Sequence, residues 1–361
     1  MGSNVTESVQ LRVVDVIEET SDAKSFVLEA PSSLSYRPGQ FLTIEVPSNS
    51  GAKSAARCYS LSSAPHESDL LKITVKRVRD GYGSNWMCDN VEVGHTLKAL
   101  PPSGQFTSRQ VSSDLLLFAG GSGITPVLSI AKSALANGAG DVVLFYANRN
   151  DASVIFASEL SELAAKYPDR LIVIHWLESV QGIPTVTQLK NVVRHLSSYD
   201  AYVCGPAPFM AAALTALDQL GFPRERKHHE RFISLEGNPF DVDEAAHEPS
   251  SSETVGEVIA SIASEPPARA FRVSGEIGGV SFDHDDWPSD QVLLDFLLKK
   301  KLAAPFSCRS GECSSCTYRI VEGSVKMIGN DVLDDEDLND GLRLACQSLP
   351  ETDEISISYE F

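Results

Sequence analysis

No stretch of the sequence stays apolar for the ~18–20 residues that a bilayer-spanning helix needs, which excludes an integral membrane protein of the helical kind. Met1-Gly2-Ser3-Asn4-Val5-Thr6 has neither the basic n-region nor the apolar core of a secretory signal. These six residues formally fit a myristoylation pattern and a glycosylation sequon, but both patterns are too short to carry an expectation. Basic residues are scarce, with 30 Lys and Arg against 49 Asp and Glu and a net charge of −19. Such a balance repels phosphates and argues against a nucleic-acid partner. No internal repeat is present, so a solenoid or propeller is not indicated. Seven cysteines without a secretory signal argue against a disulfide framework.

What remains is a chain of 361 residues, 42% hydrophobic, long enough for two or three domains with real cores. Its charge is unevenly placed. Residues 1–240 carry 24 acids and 21 bases, residues 241–268 carry 7 acids and no Lys or Arg, and residues 269–361 carry 18 acids and 9 bases. A nearly neutral body is thus followed by an acidic region. The middle stretch, rich in Asp, Glu, Ser and Pro, reads as a linker, although Val255–Ile262 has some pattern of its own.

Residues 9–107 read as short β-rich runs at Val9–Ile17, Ser25–Leu28, Phe41–Val46, Cys58–Ser62 and Leu71–Val78, separated by turn residues such as Pro38-Gly39 and Asp80-Gly81. Closely spaced strands of this kind predict a small antiparallel barrel. The pattern then changes to buried apolar runs at Leu115–Phe118, Val142–Tyr146, Leu171–His175 and Ala201–Cys204, with helix-length stretches such as Pro126–Leu135 and Ser158–Lys166 between them. That alternation predicts a parallel doubly wound sheet. The expected domains are a barrel at 8–108, an α/β domain at 109–240, the linker at 241–268 and a globular domain at 269–361.

The most specific signal lies in the last domain. Cys308, Cys313, Cys316 and Cys346 follow the C-x4-C-x2-C…C spacing of a plant-type [2Fe–2S] site, with 29 residues before the fourth. Three thiolates converge from one tight loop, and a fourth arrives from a distant strand. Ser307, Ser310, Gly311, Ser314 and Ser315 are small enough for the backbone to wrap closely and aim N–H groups at sulfur. Structural zinc favours two short cysteine hooks, whereas here one loop holds three cysteines and no histidine is near.

Two further signatures point to phosphate-bearing ligands. Arg57-Cys58-Tyr59-Ser60 precedes Gly81-Tyr82-Gly83-Ser84, a turn leading into a helix whose free N–H groups suit a pyrophosphate. Gly120-Gly121-Ser122-Gly123-Ile124-Thr125-Pro126 ends a buried strand in a glycine-rich turn, with Pro126 in the first helical turn. It is not a strict G-x-G-x-x-G. Cys204-Gly205-Pro206 ends a later strand on the same edge of the expected sheet.

Together these motifs resemble the ferredoxin–NAD(P)⁺ reductase superfamily, and the C-terminal part resembles a plant-type ferredoxin of β-grasp (α+β) fold, as in three-domain reductase components of bacterial oxygenases. Within that group Arg57–Pro65, Val75–Cys88, Tyr146–Phe156 and Lys166–Ser179 resemble the reductase components of 3-ketosteroid 9α-hydroxylases. The alternatives are the reductase of another oxygenase, such as a phenylacetyl-CoA epoxidase, or a non-enzymatic redox carrier or sensor. The resemblance implies FAD, a [2Fe–2S] cluster and NADH as cofactors, with a Rieske-type oxygenase as electron acceptor, in a cytoplasmic monomer. It implies that Arg57 and Ser84 with Gly83 hold the flavin pyrophosphate, that Tyr59 packs on the flavin and that Ser60 bonds near its N5. Lys76, Gly121, Ser122, Thr125, Gly205 and Pro206 would line the cofactors, and Cys204 would sit at the nicotinamide C4. Glu230 matches the acidic residue near the flavin edge. FMN for FAD, and NADPH for NADH through Arg149, stay open at this stage. Cys58 and Cys88 read as packing residues. His228-His229 reads as no metal pair, because adjacent side chains diverge. Asp334-Asp335-Glu336-Asp337 reads equally as a docking patch or a solvated helix start.

Overall fold

In the computed structural model the described residues are 8–31, 34–48, 54–108, 113–235, 237–240 and 269–360. The linker reading at 241–268, including Val255–Ile262, lies outside them, as does Met1–Thr6. The described residues form two compact units: one lies within Ser8–Lys53 and Arg57–Ser234, the other within Leu235–Phe361 together with Ser54–Ala56.

Six strands make the first sheet: β1 (Val9–Thr20), β2 (Ala23–Glu29), β3 (Phe41–Pro47), β4 (Ser54–Ser60), β5 (Leu70–Lys76) and β6 (Thr96–Ser103), with helix α1 (Tyr82–Asn90) between β5 and β6. Their order is β4-β3-β6-β1-β2-β5. The β1–β2, β1–β6, β3–β6 and β2–β5 pairs are antiparallel. The two edge strands meet just past β4, where Leu61 bridges Ile73 and the Ser62 N–H donates to the Lys72 carbonyl at 2.7 Å. The sheet therefore closes on itself as the expected barrel, which removes its exposed edges. Period-two burial drives this: Leu11 and Val13 on β1 point inward and are fully buried while Gln10 and Arg12, which alternate with them, are exposed.

The second sheet is parallel. It comprises β7 (Leu115–Gly120), β8 (Val142–Asn148), β9 (Leu171–Leu177), β10 (Asp200–Cys204) and β11 (Lys227–Glu230), in the order β11-β10-β7-β8-β9. Every residue of β7 is buried, as a central strand covered on both faces requires. Leu115, Leu117, Leu144 and Tyr146 join one core with helices α2 (Ile124–Asn137) and α3 (Ala157–Lys166). Leu116, Phe118, Val143 and Phe145 join the other, behind the short α4 (Glu178–Gln181), with α5 (Val186–Val193) and α6 (Ala207–Gln219). The chain runs outward from β7 to β9, then crosses to β10 on the other side. The strand order thus reverses between β7 and β10, which is where open α/β sheets bind ligands.

The last unit holds β12 (Ala270–Ile277), β13 (Val280–Pro288), α7 (Leu293–Lys299), β14 (Thr317–Glu322), β15 (Val325–Met327), α8 (Asp335–Asn339), β16 (Leu342–Leu344), β17 (Ser348–Pro350) and β18 (Glu354–Ser358). Five strands form a mixed sheet, β13-β12-β18-β14-β16, with β12 and β18 parallel. Trp287, Leu293, Phe296 and Tyr318 are fully or nearly fully buried in its core, in the α+β arrangement expected. Trp287 donates its indole N–H to the Gln291 carbonyl at 2.8 Å, and the Tyr318 hydroxyl bonds Ser348 Oγ at 2.9 Å, so both large polar-tipped rings are satisfied.

Candidate functional site

Arg57, Tyr59 and Ser60 lie on β4, and α1 begins four residues past Val78, where the expected turn leads into the helix. A Cβ on Gly83 would lie 2.9 Å from Arg57 Cγ, so the arginine stem crosses that glycine directly. Ser84 plays a different local part from a free anion cap. Its Oγ accepts from the Val78 N–H at 3.0 Å and donates toward the Gly81 carbonyl at 3.4 Å, which closes the 78–84 turn. Asn85 Nδ2 ties the same turn through Gly81 O at 2.8 Å and Val78 O at 3.1 Å.

Two polar atoms beside this face are buried without a partner: the Tyr59 hydroxyl and Glu230 Oε2. Burial pushes the Tyr59 phenol well above its usual range. Burial also raises Glu230 to about 8, although the bond from Ser60 pulls it down. Ser60 and Glu230 are 170 positions apart in sequence, so only the fold joins them. Buried, unpaired polar atoms are costly, and both adjoin β4, Tyr59 on the strand two residues past Arg57 and Glu230 bonded to Ser60. That set fits a flavin, whose ring system and pyrophosphate supply the missing partners.

The nicotinamide signatures also meet. Glu230 is in register with Cys204 across the parallel β10–β11 pair. Cys204 is fully buried, and burial first, then the Glu230 charge, pushes its thiol far up. Gly121 adopts φ +52°, a left-handed conformation that favours glycine, and a Cβ there would face Lys76 Nζ at 3.8 Å. The Gly121 carbonyl accepts from the Tyr146 hydroxyl at 3.2 Å. Thr125 is buried and donates to the Ser122 carbonyl at 3.1 Å, fastening the turn from within. Pro206 and Phe209 press on Gly120, where a Cβ would come within 2.8 Å of Pro206 Cδ, and a Cβ on Gly205 would come within 2.9 Å of the Gly120 nitrogen. Glycine is thus required at both places, because the ends of β7 and β10 pack too closely for a Cβ.

In the last unit Cys308, Cys316 and Cys346 are buried and Cys313 is half-buried, and none of the four is in a disulfide. Cys308 lies near enough to Cys313 and Cys346 for their thiols to lower its pKa, and Cys308 and Cys316 raise that of Cys346, which places the four side chains together. Backbone N–H groups point at them: Ser310 N and Glu312 N at Cys308 Sγ, 3.4 and 3.3 Å, and Cys308 N at Cys313 Sγ, 3.3 Å. Four thiols with a ring of N–H donors form the donor set a [2Fe–2S] cluster requires. Cys58 and Cys88 are elsewhere; Cys88 is buried and lies 3.6 Å from the Val75 carbonyl.

Three family models match in chain order: an oxidoreductase FAD-binding domain over residues 10–108, an oxidoreductase NAD-binding domain over 117–215 and a 2Fe–2S iron–sulfur cluster binding domain over 283–351. The 3-ketosteroid-9-alpha-monooxygenase ferredoxin reductase component of Rhodococcus rhodochrous is 49% identical over 98% of this chain and 97% of its own length. The chain belongs to the family of ferredoxin reductase components. A component of the 1,2-phenylacetyl-CoA epoxidase from Escherichia coli is 28% identical over 97% of both chains. Among solved structures, phthalate dioxygenase reductase, described as a modular structure for electron transfer from pyridine nucleotides to [2Fe–2S], superimposes with a TM-score of 0.57 at 23% identity, covering 97% of this chain and 98% of that one. It shows the same three-module fold.

This reductase also uses residues that its motifs do not advertise. Asp22, in the β1–β2 turn, bonds Arg149 at 2.7 Å and lies 3.9 Å from Lys76 Nζ, joining the barrel to the parallel sheet. Lys132 on α2 is 4% exposed and sits between Glu67 Oε2 at 2.9 Å and Glu159 Oε1 at 2.6 Å, while Glu159 also bonds Lys72 at 2.7 Å. A lone lysine in an apolar helical run was the available sign, but its partners lie 65 residues behind and 27 ahead. Among the described residues no helix is long and apolar enough to cross a membrane.

Proposed function

We propose that this chain is the NADH-dependent reductase component of a Rieske-type 3-ketosteroid 9α-hydroxylase, and that it works as a cytoplasmic monomer. The observation that carries the reading is the full-length 49% identity to a component of that name, spanning all three modules. The domain limits fitting it are 8–108, 109–240 and 269–361, with 241–268 as linker. When bound, FAD would split the electron pair of one hydride into single electrons and the [2Fe–2S] cluster would carry them one at a time.

Each residue has a distinct part in this reading. Arg57 pairs with the flavin pyrophosphate, and Gly83 and Ser84 present the turn and helix end beside it. Tyr59 packs on the ring. Ser60 holds a hydrogen bond near the flavin N5 and Glu230 stands behind it, burial raising its pKa to about 8 and so keeping a proton on the carboxyl at neutral pH. Cys204 stays a neutral thiol and would form the floor against which a bound nicotinamide C4 is oriented. Gly121, Ser122, Thr125, Gly205 and Pro206 shape the dinucleotide groove, with Lys76 at its rim. Cys308, Cys313, Cys316 and Cys346 ligate the cluster. NADH rather than NADPH is favoured by the Asp22–Arg149 pair, which occupies the arginine otherwise placed for a 2′-phosphate.

The test is a visible spectrum of the purified protein followed by anaerobic NADH addition. Flavin absorbance, [2Fe–2S] charge-transfer bands and rapid bleaching are expected; their absence overturns the reading. Reconstitution with separate oxygenases then decides the partner: hydroxylation of a 3-ketosteroid supports it, and coupling only to phenylacetyl-CoA epoxidation replaces it.

A further inference from the structure

Gln347 follows the fourth cysteine, in the single helical turn Ala345–Gln347, and is 8% exposed. Its Nε2 donates to the Arg309 carbonyl at 3.0 Å and to Cys346 Sγ at 3.6 Å. An amide nitrogen has two protons to give, and here one goes to the loop that carries three cysteines and the other to the fourth.

The loop needs such a fastening. Arg309, Gly311 and Ser314 have φ of +59°, +84° and +52°, and left-handed backbone at arginine and serine persists only where surroundings enforce it. Arg309 is pinned at its far end by Asp295, 3.1 Å from NH1, and lies over the Phe306 ring at 4.8 Å. Its carbonyl is held by Gln347. The glutamine in turn fits a space cleared by two glycines: a Cβ on Gly311 would lie 3.2 Å from Gln347 Cγ, and one on Gly329 would lie 2.9 Å from Oε1.

We propose that Gln347 is a positioning residue that sets the reduction potential of the [2Fe–2S] site, donating one N–H to the Cys346 sulfur and holding the three-cysteine loop with the other. The inference rests on the cluster reading above. A donor to a ligand sulfur stabilises the more negative reduced state, so the native residue raises the potential. Cys308 takes its donors from backbone, which no substitution removes, whereas the Cys346 donor is a side chain.

The experiment uses full-length holoprotein with Gln347→Met, which keeps the volume and removes both donors, and Gln347→Glu, which keeps the shape. Midpoint potentials are read from the cluster EPR signal during redox titration. At the wild-type midpoint the reduced-to-oxidised ratio of each variant is expected to fall roughly tenfold, a shift of about 59 mV for one electron. A ratio within twofold of wild type in both variants, with intact cluster spectra, overturns the proposal. Loss of the cluster from both variants with flavin retained also overturns it, because Gln347 is then structural only. Wild-type protein that lacks the EPR signal on reduction instead defeats the cluster reading itself.

Discussion

Gly123 lies so close beneath Cys204 that a Cβ at 123 would stand 2.3 Å from the Cys204 carbonyl oxygen. The obstacle is backbone, with Gly205 N only 2.7 Å away, so no side chain can turn aside to make room. Two signatures separated by 80 residues are therefore one packed unit at the point where the strand order reverses.

Gly123→Ala is accordingly expected to force β7 and β10 apart. Overpacking of this kind costs roughly 1–3 kcal/mol. Thermal unfolding should move down, and anaerobic flavin reduction by NADH should slow at least tenfold in stopped flow. Unchanged reduction kinetics would show that the crevice is not the nicotinamide site.

Glu230 gives a pH prediction. Its carboxyl is raised by burial from the usual glutamate range to about 8, so folding favours the protonated form. The stability this contributes is complete below the unfolded value and is lost as pH rises through about 8. Glu230→Gln removes the titrating group, and its unfolding midpoint should fall less than that of the wild type between pH 6 and 9. Parallel curves for the two proteins would contradict the assignment.

The Lys132 network ranks against surface pairs by burial. Burial pushes Glu159 up, and Lys132 and Lys72 more than offset it, holding its carboxyl below the ordinary value. Lys132→Met removes one of the two lysines on Glu159, which keeps Lys72 at 2.7 Å, a loss of about 1–3 kcal/mol. Arg272, paired with Asp283 while both are half in solvent, should tolerate Arg272→Met with no detectable change in denaturant midpoint. Equal effects of the two substitutions would refute this ordering.

Electron delivery should depend on salt. Asp334 and Asp337 are committed to a capping box at the start of α8, with Asp337 N donating to Asp334 Oδ1 at 2.8 Å and Asp334 N to Asp337 Oδ2 at 3.1 Å. Asp335 and Glu336 between them are exposed, so the acidic run is both a helix start and a charged surface. Oxygenase-coupled NADH oxidation is expected to fall severalfold as ionic strength rises from about 0.05 to 0.5 M, while flavin reduction holds steady. Asp335→Lys with Glu336→Lys should reproduce that loss at low salt; salt-independent coupling would argue against an acidic docking face.

The sequence by itself determined what depends on local spacing. Three cysteines within nine residues, a glycine turn at the end of an apolar strand and period-two burial in β1 are legible because each is set by neighbours along the chain. The barrel, the parallel sheet and the cluster loop all follow from such patterns. Ser84 marks the limit, since the turn was legible while its hydroxyl's bonds to Val78 and Gly81 were not. Only the tertiary structure decided the rest: Ser60 with Glu230, Gly123 under Cys204, Asp22 on Arg149, Lys132 between two glutamates and Gln347 across the cluster loop. These are close approaches between residues tens to hundreds of positions apart, and they arise from how strands order and pack in space. No one-dimensional period encodes that order, because burial fixes which face a side chain takes but not which distant residue it meets there.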